Sequence, residues 1–248
     1  MKAKKEQLKR RKRRLFMRRI RNLLVIAILI TACVSIVSAI RSDSTPIKSI
    51  TSILGATDTT EKNDTPWYLL LVNKEHPLPY DYSFNKFTLS DGSIIDERIY
   101  PELQDMFDAA RADGIYPKIN YAYRSNEEQK EIYDRRINEY LAEGYSQQEA
   151  EELAGTYVML PGTSEHETGL ALDITADKDY CTVEDLQAWF LKNSWQYGFT
   201  VRYPSTKTEI TGINYEPWHY RYVGKEAAQS MYVSGKCLEE YVEQYTAD

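Results

Sequence analysis

The stretch Ser164-Glu165-His166-Glu167-Thr168-Gly169-Leu170-Ala171-Leu172-Asp173 sets an imidazole and a carboxylate on either side of a glycine-containing turn. Farther along, Glu216-Pro217-Trp218-His219 offers a second carboxylate and a second imidazole. The chain has only 3 histidines, and two of them fall in these stretches. Two His, one Asp and one further Glu are the parts of a catalytic zinc site: three protein ligands, one open position and one general base.

Each stretch also has a plainer explanation. Leu170–Ile174 reads as a strand whose alternation puts Leu170 and Leu172 on one face, with Ala171 and Asp173 on the other. A carboxylate facing inward from such a strand is costly unless it is paired or bound to a metal. A hydrogen-bonded structural Asp beside a surface His explains this stretch equally well. The second stretch tips the balance. In an ideal strand Glu216 and His219 would face opposite ways, but Pro217 permits a bend that turns both toward one centre. His219 then completes a ligand set with His166 and Asp173, and Glu216 is left to move protons between the attacking water and the leaving amine. The alternative is a core histidine against Trp218 with Glu216 solvated. Neither stretch has the H-E-x-x-H arrangement of two histidines on one helix.

Arg124 is the third element. It ends a candidate strand over Tyr116–Tyr123, and a guanidinium there can grip a free peptide carboxylate in bidentate fashion. Gln129, in the first turn of the next helix, can add an amide. A surface ion pair is the ordinary fate of an Arg before a helix cap. Spacing and residue type lead as far as metal-assisted hydrolysis of a substrate with a free carboxylate.

Other elements must position these groups. Ile99, Leu103, Met106, Phe107 and Ala110 recur at helical spacing before Gly114. Asn126 can cap a helix with the stripe Ile132, Tyr133, Ile137, Tyr140 and Leu141. Ser146 with Glu149, and Thr182 with Asp185, signal two further helix starts. Leu238, Tyr241, Val242 and Tyr245 mark a last helix. Trp67–Asn73 reads as a buried strand, and Thr200–Tyr203 and His219–Val223 as short strands. His76, alone in a proline-rich loop, reads as a surface residue. Helices and strands mixed without β-α-β alternation imply an α+β fold with an antiparallel sheet.

Charge is distributed unevenly. Residues 1–21 hold 12 of the 31 Lys/Arg and one acidic residue, Glu6. The remainder is strongly acidic, which argues against nucleic acid as its partner. The basic tip, residues 1–22, runs into the uncharged stretch 23–40, which as a helix spans about 27 Å against a bilayer core of about 30 Å. A single N-terminal transmembrane helix with a cytoplasmic N-terminus and an exported body is the expectation. Val37-Ser38-Ala39 also resembles a signal-peptide cleavage site, and a retained anchor is expected over it. Residues 41–65 read as a flexible extracytoplasmic stem and 66–248 as the folded domain. Cys181 and Cys237 could pair, and no C-x-x-C spacing exists.

The motif order is specific. Tyr123-Arg124-Ser125 with Gln129, then Pro161-Gly162-Thr163 leading into Ser164–Asp173, then Glu216-Pro217-Trp218-His219-Tyr220-Arg221-Tyr222-Val223-Gly224, resembles the VanY-type D-alanyl-D-alanine carboxypeptidases of the LAS group of zinc peptidases. Leu69–Lys74 with Pro77-Leu78-Pro79 resembles their domain start, and the likeness covers about residues 66 to 235. It implies a compact α+β domain whose central antiparallel sheet carries the site. It further implies Zn2+ held by His166, Asp173 and His219, with Glu216 as catalytic base. Arg124 would grip the terminal carboxylate, and Gln129, Ser164 and, on a looser match, Tyr203 would contact substrate. The implied substrate is the D-Ala terminus of peptidoglycan stem peptides. L,D-carboxypeptidases share these motifs, and a non-catalytic wall-binding module is a further alternative that an intact Glu216 disfavours.

Overall fold

The structure is a computed structural model that describes residues 65–247. The expected basic tip, the apolar run of 23–40 and the stem up to residue 64 lie outside the described residues. Among the described residues, no helix is long and apolar enough to cross a membrane.

The first strands in chain order form a small antiparallel hairpin, β1 (Lys86–Thr88) and β2 (Ile94–Asp96). Its tip, Asp91-Gly92, is turn chemistry that a strand reading could have used. Helix α1 (Tyr100–Ala112) follows, then β3 (Pro117–Tyr121) and the long helix α2 (Asn126–Ala142). Helix α3 (Gln147–Ala154) leads to a 3-10 turn over Glu165–Thr168 and strand β4 (Ala171–Ala176). The rest of the described chain is α4 (Val183–Asn193), β5 (Phe199–Tyr203), a single turn α5 (Thr208–Thr211), β6 (Glu216–Tyr222), α6 (Lys225–Ser234) and α7 (Leu238–Ala247). The main sheet runs β3-β4-β6-β5, and every neighbouring pair is antiparallel. The expected α+β fold with an antiparallel sheet is what forms.

One face of that sheet makes the core. Leu172, Ile174 and Tyr220 pack with Leu103, Met106 and Phe107 of α1 and with Leu186 and Phe190 of α4. Each fully buried side chain of this kind contributes about 1.5–3 kcal/mol over an exposed one. Register therefore follows from burial. Leu172 faces Tyr220 across the β4–β6 pair, and the next pair along is Asp173 with His219. A one-residue slip would drive Asp173 and His219 into the core and expel Leu172 and Tyr220. Core packing and site assembly are fixed by the same register.

The helix starts follow their caps. Ser146 and Glu149 form the expected capping box, and the Thr182 side chain accepts from the Asp185 amide. The cap of α2 is Ser125 rather than Asn126: its hydroxyl accepts from the Glu128 amide, and the Ser125 amide donates in turn to the Glu128 carboxylate. Gly169 is required where it stands. It sits at φ +73, and a Cβ there would lie 2.6 Å from the Phe84 ring.

Trp67–Asn73 is not a strand. Trp67–Leu69 forms a 3-10 turn, and Leu69 and Val72 are buried without a ladder partner. The buried Arg221 side chain takes the place of one, donating from Nη2 to the carbonyls of Tyr68 (3.2 Å) and Leu70 (2.9 Å). Cys181 and Cys237 are both free thiols, so the possible pair does not form. His76 is exposed, as expected.

Candidate metal centre

Sheet geometry accounts for two of the three candidate ligands. Directly opposed residues of an antiparallel pair point to the same face, so Asp173 and His219 meet on the face away from the core. The third, His166, comes from the 3-10 turn ahead of β4, which Gly169 reverses into the strand. Ligand atoms of His166, Asp173 and His219 lie within 4.8 Å of one another, and all three residues are buried.

The expected bend in β6 is present as an irregularity of register. Val201 pairs with Tyr220, whereas Tyr203 pairs with Glu216, so β6 carries two more residues than β5 across this interval. Trp218 is thrown outward, and Glu216 and His219 both turn inward. Glu216 Oε2 is 3.7 Å from His219 Nδ1.

Histidine orientation follows from the ring nitrogens that face away from the cluster. His166 Nδ1 lies 2.7 Å from the Ala122 carbonyl and donates to it, which directs Nε2 at Asp173 Oδ1, 3.5 Å away. His219 is turned the other way, with Nδ1 3.2 Å from the same Oδ1. Asp173 Oδ1 is buried without a hydrogen-bond donor. A buried, unsatisfied carboxylate oxygen between two inward-facing imidazole nitrogens fits a divalent cation with borderline-soft preferences, zinc above all.

Electrostatics agree with that fit. Burial would raise the Asp173 carboxyl, but the two imidazoles hold it well below the usual range. Burial lowers His166, so its ring is neutral and ready to bind. Burial would lower His219 too, but the carboxylates of Asp173 and Glu165 that face its two ring nitrogens push it up to about 9 in the metal-free protein. A cation at this centre must displace that proton. The apparent zinc Kd is therefore expected to fall about tenfold per pH unit between roughly pH 7 and 9, with one proton released per zinc. Calorimetry in buffers of different ionisation enthalpy measures the release, and a pH-independent Kd across that window would contradict it.

The other expected residues converge on the same place. Arg124, Gln129, Ser164, Tyr203 and Glu216 line one cavity of about 350 Å³ together with the three ligands. Arg124 Nη2 is 3.4 Å from Asp173 Oδ2, and its Nη1 donates to Gln129 Oε1 at 3.2 Å. Its Nε is buried with no acceptor. Gln129 is fully buried and also donates to the Met159 carbonyl, so it anchors the arginine fork. The Tyr203 ring centroid is 4.9 Å from that of His219. Burial raises the Tyr203 hydroxyl far above its usual value and keeps it a donor. Burial, reinforced by the Asp173 charge, raises Glu216 to about 7 against the opposing pull of His219 and Arg124.

Residues that the motif reading passed over complete the cavity. Tyr157 and Met159 come from the segment after α3, Trp218 from the outward bulge, and Arg136 from α2. Arg136 lies two helical turns beyond Gln129 on the same face, a spacing that was available in the sequence. Glu165 is also newly placed: it is fully buried behind His219.

Comparison with known proteins agrees with this geometry. Residues 92–225 match the family model described as VanY, D-alanyl-D-alanine carboxypeptidase. A D-alanyl-D-alanine carboxypeptidase of Enterococcus faecalis is 50% identical over 187 residues, covering 75% of this chain and 70% of the relative. The solved structure of VanYB in complex with D-alanine-D-alanine superposes with a TM-score of 0.70 at 52% identity, over 71% of this chain and 98% of that one. A glutamate-to-alanine variant of the vancomycin-resistance D,D-pentapeptidase VanY, solved with Zn(II), matches equally: TM-score 0.70, 52% identity, 71% of this chain and 99% of that one.

Proposed function

The chain belongs to the VanY family of D-alanyl-D-alanine carboxypeptidases, and from that premise we propose that its cavity cleaves the last peptide bond of stem peptides ending in D-Ala–D-Ala. The protein is a zinc carboxypeptidase. The observation that carries the reading is the meeting of His166, Asp173 and His219 with Glu216 and Arg124 in one cavity.

His166, Asp173 and His219 would hold the zinc. A zinc ion there supplies a Lewis acid for the scissile carbonyl and lowers the pKa of a water molecule toward about 7. Glu216, close to the cluster but outside the ligand set, takes the proton from the attacking water and hands it to the leaving amine. Arg124 holds the terminal carboxylate of the substrate, so that only the last peptide bond reaches the reacting centre. Gln129 fixes the guanidinium from behind, while Ser164 and Tyr203 offer hydroxyls to the peptide. The membrane anchor at 23–40, the cytoplasmic N-terminus and an extracytoplasmic domain belong to the same proposal, supported by the basic run that precedes the apolar stretch.

Peptides ending in D-Ala–D-Ala are expected to release D-alanine when the terminus is free. The same peptides with an amidated terminus are expected to react with kcat/KM about 10- to 100-fold lower, because the partly buried Arg124 guanidinium loses the substrate carboxylate as a partner. In Arg124→Ala the difference between the two should vanish. Amino-acid release from both peptide series measures it, and equal cleavage of free and amidated peptides by the parent enzyme would remove Arg124 from this role. Activity on tetrapeptides alone would sink the D,D assignment.

A further inference from the structure

His166 and His219 are oriented by different means. The outward nitrogen of His166 is satisfied by the Ala122 carbonyl. The outward nitrogen of His219, Nε2, faces no backbone acceptor; Glu165 Oε2 lies 3.5 Å away, and both atoms are buried with no hydrogen-bond partner. The other oxygen of the same carboxylate, Oε1, accepts from Arg202 Nε at 2.7 Å and lies 3.1 Å from Arg221 Nη1. Arg202 then uses its fork on Glu239, with Nη1 to Oε2 at 2.8 Å and Nη2 to Oε1 at 2.6 Å. Glu165, Arg202 and Arg221 side chains are 0% exposed.

A buried ion network of this kind contributes little to stability compared with apolar residues of the same volume, because desolvation offsets the attraction. What no apolar residue can do is place an acceptor behind an imidazole. We propose that Glu165 is a positioning residue: it holds His219 in the Nε2–H tautomer with Nδ1 free for zinc, and is itself held through Arg202 by Glu239 of the C-terminal helix α7. The metal centre thereby depends on a helix that lies beyond residues 92–225, the span matched by the family model. One turn serves two ligands, since Glu165 adjoins His166 in sequence and supports His219 in space.

This inference rests on the zinc reading above. Glu165→Gln tests it with almost no change of shape. Two arginines claim the amide oxygen, so the amide NH2 faces His219 Nε2. That arrangement needs a lone pair on Nε2, and it moves the ring proton to Nδ1, where it competes with zinc. Zinc affinity, measured by competition with a chelator, is expected to fall about 10- to 100-fold. The absorption bands of the Co(II)-substituted protein should shift as well, and the rise in Tm on adding zinc should shrink. A merely structural role would lower Tm with and without zinc alike and leave the zinc Kd unchanged. If Glu165→Gln does not fold, Glu239→Gln takes its place: it leaves Glu165 facing both arginines, and zinc should weaken several-fold. Glu240→Gln, whose carboxylate pairs with Lys207, is the control and should bind zinc like the parent. Parental zinc affinity in folded Glu165→Gln, or in Glu239→Gln should the first not fold, overturns the proposal. A parent protein that fails to bind zinc would instead overturn the reading beneath it.

Discussion

Glu216→Ala is expected to keep its zinc and to lose turnover by a factor of about 10²–10⁴. The two halves of this result have separate grounds. Zinc should be kept because the proposed ligand set is complete without Glu216: the inward nitrogens of His166 and His219 converge on Asp173 Oδ1, and Glu216 stands 3.7 Å off His219. Turnover is lost because Asp173, the other carboxylate lining the cavity, belongs to the proposed ligand set, so no carboxylate is left to take the proton of the attacking water and return it. Burial raises Glu216 to about 7, whereas burial holds Tyr203 far above its usual value. The sign of the effect on stability follows from the same shift. A carboxylate whose folded pKa is raised opposes folding above its unfolded value of 4.5, and the penalty grows until the pH passes its folded pKa. The metal-free alanine variant should therefore be no less stable than the parent at pH 8. Zinc content, D-alanine release and thermal unfolding settle these points together, and unchanged turnover would refute the assigned mechanism.

Local signals carried much of this site. Burial of Leu170 and Leu172 on one strand face put Asp173 on the other, and Pro217 announced the break that turns Glu216 and His219 the same way. Capping chemistry at Ser146 and Thr182 located helix starts to the residue. The missed features depend on distant partners. Trp67–Asn73 is apolar enough for a strand, but its carbonyls are claimed by the Arg221 side chain, some 150 residues on in the chain. No local pattern could reveal that competition. Glu165 stands beside His166 in plain view, yet its meaning depends on which side of β6 His219 presents and on where Arg202 and Glu239 arrive. Arg136 is the opposite case: its spacing from Gln129 was legible, and only the absence of a motif around it hid it.

His166→Ala, in contrast to Glu216→Ala, is expected to lose zinc and turnover together. His166 contributes an inward nitrogen whose direction is fixed by a 2.7 Å bond to the Ala122 carbonyl, so the ring is oriented before the metal arrives. It is also the ligand that burial keeps neutral, whereas His219 must surrender a proton first. Without it, two ligands remain on adjacent strands, one of them still protonated at neutral pH. The loss of affinity should therefore exceed the roughly 10- to 100-fold that follows from removing a supporting partner such as Glu165. The fold itself should survive with a lower Tm. The Ala122 carbonyl loses its donor, at a cost of about 1–3 kcal/mol, but the sheet register is set on the opposite face by Leu172 and Tyr220. A Tm for His166→Ala that no longer responds to zinc, set beside a Glu216→Ala protein whose Tm still rises with it, would separate the residue that binds the ion from the one that uses it. Full zinc occupancy in His166→Ala would mean that the ligand set has been assigned wrongly.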